Sequence, residues 1–115
     1  MTYVKVTLQY EATHNWPGVT EHLDLAEVYF LKDEHRHIFW IRAYKEVTHD
    51  DRDVEIIKLK RDMLQYLQIQ YGERCGSLGA TSCEMLARDL AENFDLSQCE
   101  VTEDDENGAL YVKES

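Results

Sequence analysis

The stretch that decides the fold is residues 35–48, HRHIFWIRAYKEVT. It is crowded with aromatic and β-branched types, so it reads as one long strand. Side chains alternate across a strand. His35, His37, Phe39, Ile41 and Ala43 therefore share one face, and Arg36, Ile38, Trp40, Arg42 and Tyr44 the other. A second alternating run stands at residues 3–10. Val4, Val6, Leu8 and Tyr10 lie on one face there, and Tyr3, Lys5, Thr7 and Gln9 on the other. That is a half-buried strand. Between the two, Thr13 to Glu34 is less regular. Trp16-Pro17-Gly18 marks a turn, and Leu23 to Leu31 reads as a short irregular or strand-like element.

Beyond residue 48 the period changes. The acids of His49-Asp50-Asp51-Arg52-Asp53 suit the positive end of a helix. Ile56, Leu59, Met63 and Leu67 then recur at helical spacing, which predicts a helix over about residues 55–71. Gly72, Gly76 and Gly79 break it. A second helix is expected from Thr81, with Thr81 and Glu84 as a capping box. Cys83, Leu86, Ala87, Leu90, Ala91 and Phe94 would form its buried face. Gln98 to Lys113 reads as a hairpin turning at Asn107-Gly108. The order ββααββ over residues 1–115 predicts one α+β domain: a four-stranded antiparallel sheet with both helices on one face. Its two open edges invite pairing with another subunit.

Composition narrows the function. Hydrophobic residues make up 43%, enough for a core. The formal charge is −11, from 23 acids and 12 bases, which repels nucleic-acid backbones. The alternating N-terminus is not a signal peptide, and no stretch approaches a membrane-spanning length. Cys75, Cys83 and Cys99 share no metal-ligand spacing and read as reduced thiols of a cytoplasmic protein.

His35 and His37 are the sharpest local signal. Two residues apart on a strand, both imidazoles face the same way, with Cα atoms roughly 6.5 Å apart. The pair suits one metal ion, and it also suits plain packing. Neutral imidazole is a good zinc ligand, and a catalytic zinc takes three protein ligands with one position open. His14, just past the first strand, completes such a set if the two strands pair.

The order of motifs adds to this. YEATHNWP, then HRH opening a long strand, then DVEIIKLK opening a helix, resembles the 6-pyruvoyl- and 6-carboxytetrahydropterin synthases. The resemblance implies a T-fold, whose sheets close into a barrel in a homo-oligomer, and a zinc ion on His14, His35 and His37. The family's acid-plus-aromatic step into the first helix looks like Glu55-Ile56 ahead of Leu59-Lys60. Its PTAEN-like helix start resembles Thr81 to Met85, which puts Ser82 at the ligand. Its late-strand Glu, which holds the amide and amino edge of a pterin ring, resembles Glu103. A carboxylate can accept two parallel hydrogen bonds from such an edge. The other reading of Glu103 is a solvated acid in a run of acids, and of Ser82 a capping hydroxyl.

The departures are as informative. Leu31 stands where the family has its catalytic Cys, Arg36 replaces the central Gly of its HGH pair, and QIQYGERCGSLGA offers no counterpart to its Asp-His pair. His49-Asp50 follows a strand, unlike the helical sites of HD-type phosphohydrolases, and His22 reads as a loop residue. Two readings stand. One is a zinc-dependent, lyase-type enzyme acting on a pterin or related purine-like ligand. The other is a non-catalytic T-fold protein that sequesters a purine- or pterin-containing nucleotide.

Overall fold

The computed structural model describes residues 1–114. Strand β1 (Thr2–His14) is followed by two 3-10 helices (Pro17–Glu21 and Leu23–Lys32) and by β2 (His35–Val47). Helix α1 (Ile56–Tyr71), strand β3 (Gly76–Ser77), helix α2 (Cys83–Phe94) and strands β4 (Gln98–Glu103) and β5 (Asn107–Val112) complete the chain. The sheet order is β3-β1-β2-β4-β5. This is the expected α+β arrangement with one strand more than the four read from the sequence.

The framework is the antiparallel pairing of β1 with β2 along 13 residues each. Val6 faces Ala43, Leu8 faces Ile41, Tyr10 faces Phe39, and His14 faces His35. β4 extends the same face, with Val101 beside Ile41 and Glu103 beside Phe39. Against it pack Leu59, Met63 and Leu67 of α1 and Leu86, Ala87 and Leu90 of α2, forming one contiguous core. The helical stripes match expectation except at Ile56. That residue starts α1, is 47% exposed and borders an open cleft between α1 and β1.

Five local expectations are corrected. β1 runs four residues past Tyr10, because Glu11 to His14 continue to pair with β2. Leu23 to Leu31 is 3-10 helix. The chain is pinned at both ends of this excursion by Trp16 N–H donating to Leu31 C=O at 2.7 Å. With no free strand beside it, its backbone closes short-range bonds instead. The additional strand β3 comes from the glycine-rich segment. Gly76 and Ser77 pair parallel with Ala12 and Thr13. Gly76 is needed there, since a Cβ would collide with the Tyr10 hydroxyl, which donates to Gly72 C=O at 2.6 Å. A two-residue strand carries no alternation to be read.

The last two corrections concern caps and turns. Ser82, not Thr81, caps α2, its Oγ accepting from Met85 N–H at 3.1 Å. The β4–β5 turn is Asp104-Asp105-Glu106, with Asp104 at φ 55° and Asp105 at φ 59°, a conformation Asp tolerates. Asn107 and Gly108 open β5, where a Cβ on Gly108 would collide with the Val101 carbonyl. Among the described residues, β1 has no strand neighbour from Thr2 to Glu11 on the side away from β2, and β5 has none on its outer side. No described helix is long and apolar enough to cross a membrane.

Phe39 is 1% exposed and lies between the core and the three histidines. Its ring centroid is 5.2 Å from that of His14 and 5.8 Å from that of His37. Phe39→Ala should cost about 3–5 kcal/mol of stability, measured by denaturant unfolding. A loss below about 1 kcal/mol would contradict the packing described.

Candidate metal centre

The face that carries the core ends in histidine. Continuing past Tyr10 and Phe39, the next same-face positions are Ala12 opposite His37 and then His14 opposite His35. Ala12, fully buried, leaves room for the rings around it. The ring centroids are 4.6 Å apart for His14–His35, 5.3 Å for His14–His37 and 5.1 Å for His35–His37. One ring nitrogen from each lies within 4.8 Å of the others.

Each ring is oriented by an oxygen on its other nitrogen. His14 Nδ1 meets Thr81 C=O at 3.3 Å, His35 Nδ1 meets Asp33 C=O at 2.8 Å, and His37 Nδ1 meets Asp104 Oδ2 at 2.7 Å. These acceptors hold the proton on Nδ1 and leave the Nε2 lone pair free, as metal-ligating histidines require. Asp104 is itself fixed, since its Oδ1 accepts from Ile38 N–H at 3.0 Å.

Glu103 joins the cluster from β4. Its Oε2 lies 2.9 Å from His14 Nε2 and its Oε1 lies 3.6 Å from His37 Nε2. The closer approach is off the line of an imidazole N–H, so His14 Nε2 is a buried atom without a directed hydrogen bond. Lone pairs and a carboxylate thus converge on one point, an arrangement that calls for a cation there. A proton meets that need in part. The Glu103 carboxylate above all, helped by Thr81 C=O, raises the His14 pKa above its ordinary value against the opposing effect of burial. The same contact holds Glu103 below its usual range. A divalent metal fits the donor set of three neutral imidazoles better than a proton does.

A cleft of about 520 Å³ opens beside the cluster. His14, His35 and Glu103 line one side, and Trp16, Leu31 and Cys83 line others. Ser82 is at the cleft too, its Oγ already accepting the capping bond. Two residues here escape sequence reasoning. Asp104 reads as one more acid in TEDDEN, yet it orients His37. Cys83 reads as helix core, yet it borders the cleft. Burial first, then the carboxylates of Glu103 and Glu84, push its thiol up to about 12, so it stays protonated. His49 is elsewhere, 3.5 Å from Asp53 just beyond the opposite end of β2.

No family model and no curated protein matches the sequence. Among solved structures, the chain is similar to 6-pyruvoyl tetrahydropterin synthase of Caenorhabditis elegans, with a TM-score of 0.69 at 14% identity. The match covers 98% of this chain and 96% of that one. At that identity the likeness is one of fold, and it establishes the T-fold architecture expected from the motifs.

Metal and protons compete for the same nitrogens. Because Glu103 raises the proton affinity of the folded His14 above that of an ordinary imidazole, zinc affinity should fall as pH drops through the imidazole titration, from about 8 to about 6. It should also fall when one imidazole is removed. Competition titration with a chelator dye should show both effects, with His37→Ala losing tight stoichiometric metal. A pH-independent affinity, or unchanged metal content in His37→Ala, would contradict the centre.

Proposed function

We propose that this chain is a divergent, zinc-dependent protein of the tetrahydropterin synthase type, which binds a pterin or related purine-like ring. The supporting observation is the convergence of His14, His35 and His37, each with Nδ1 held by an oxygen, beside a cleft that His14 and His35 line. A divalent ion held by their Nε2 atoms supplies Lewis acidity toward a hydroxyl or carbonyl of the ligand's side chain. With those nitrogens committed, both oxygens of Glu103 are free to accept from a ring N–H and its neighbouring amine. Ser82 can still donate its hydroxyl proton into the cleft, since the cap uses only its acceptor side. The two unpaired sheet edges, on β1 and β5, suit assembly of copies into a closed barrel.

Proton transfer is the weak part of the apparatus. Leu31 lines the cleft where the resemblance calls for an acid/base group, and it can exchange nothing. Cys83 can give a proton but, held protonated, is a poor base near neutral pH. One positioned acid/base group contributes ~10²–10⁴-fold to rate. Turnover should therefore fall short of the tetrahydropterin synthases by at least such a factor.

Two measurements test this reading. Calorimetry should detect neopterin binding to zinc-loaded protein, weakened in Glu103→Gln by about 1.5–3 kcal/mol with zinc content retained, because Gln offers one acceptor where the ring edge needs two. Unchanged affinity in that variant would remove Glu103 from the ligand. Chromatography of zinc-loaded protein with dihydroneopterin triphosphate should show slow conversion or none. Rapid zinc-dependent conversion would reveal a base that neither Leu31 nor Cys83 supplies.

A further inference from the structure

The electrostatics of the cleft bear on which form of ligand it takes. Of its fourteen lining residues none is Lys or Arg, while Glu84 and Glu103 are carboxylates. Asp104 adds another carboxylate behind His37. The nearest cations in sequence are engaged elsewhere. Lys32 pairs with Asp33 at 3.3 Å, and Arg36 pairs with Glu11 on the opposite face of the sheet. Arg42, also on that opposite face, pairs with Glu100 at 3.2 Å and Asp105 at 2.8 Å. Lys5, Lys60 and Arg61 line a different cleft, between β1 and α1.

The start of α2 is the remaining attraction for an anion, since free backbone N–H groups and the helix dipole favour negative charge there. It is already answered. Glu84 stands in the first turn, and Ser82 Oγ takes the Met85 N–H. A divalent ion on the histidines does not reverse the balance either. Its two charges are matched by Glu103 and Asp104, leaving Glu84 in excess. The formal charge of −11 adds a long-range bias of the same sign.

We infer that the cleft selects an uncharged, unphosphorylated ring compound and rejects its polyphosphorylated form. The inference rests on the ring-binding reading above and sharpens its substrate class: a free pterin or a nucleoside-like compound, not a nucleotide. Phosphate esters need Lys, Arg or a helix start without a resident carboxylate, and this chain brings none of them to the cleft. An enzyme that removes phosphate from the ring compound would have to act before this protein does.

The test compares neopterin with neopterin triphosphate on the zinc-loaded, assembled protein by calorimetry, at low and at high salt. Neopterin should bind, and its triphosphate should bind about tenfold more weakly or worse. The gap should narrow as salt screens the repulsion. In Glu84→Lys, at an exposed position, triphosphate affinity should rise severalfold while neopterin affinity changes little. Triphosphate binding as tightly as neopterin, or more tightly, would overturn the inference and leave ring binding standing. Failure of both compounds to bind would overturn ring binding and the inference together.

Discussion

Everything in this structure depends on the register between β1 and β2. Thr2 opposite Val47 and His14 opposite His35 fix the whole ladder. Because side chains alternate with period two, a slip of one residue would turn the slipped strand's core side chains and its histidines to the opposite face. The same alternation that buries Val6, Leu8 and Tyr10 against Ala43, Ile41 and Phe39 aims His14, His35 and His37 at one point. The core holds the register, and the register holds the site. Phe39 is the joint between them, buried below and in edge contact with two imidazoles above.

The cluster is made specific by what surrounds it. Three Nδ1 atoms meet oxygens from three separate places: the start of α2, the end of the 3-10 excursion and the β4–β5 turn. Each orients one ring, so the long connections that decorate the sheet all contribute to the centre. Glu103 brings negative charge against nitrogens that carry lone pairs, which makes a cation the natural occupant. The acids around the histidines, Glu103 and Asp104, together with Glu84 also set the sign of the field at the cleft.

The long strands, both helices and the His35–His37 pair were legible in the sequence, because each carries a repeating or paired pattern; His14 joined them through the resemblance of motifs. Met63 and Leu67 follow the helical period, and His35 and His37 follow that of the strand. What escaped has no such pattern. β3 is two residues long and is defined by Gly76 fitting beneath Tyr10. The hairpin turn sits on Asp104 and Asp105 although Asn107-Gly108 is the stronger local signal. Glycine there answers to the close approach of the Val101 carbonyl, not to a turn. Two of the three orienting oxygens belong to the backbone of Thr81 and Asp33, which no residue type announces. Asp104 was hidden among neighbouring acids. Cys83 faces core and cleft at once, and only its partly shared burial reveals the second side.

X-ray absorption at the zinc edge of the reconstituted protein tests the centre most directly. The expected first shell is three nitrogens at about 2.0–2.1 Å with the multiple scattering of imidazole, and one further light-atom ligand. A shell of sulfur, or an oxygen shell without imidazole scattering, would show that the metal binds elsewhere and that the three histidines only pack.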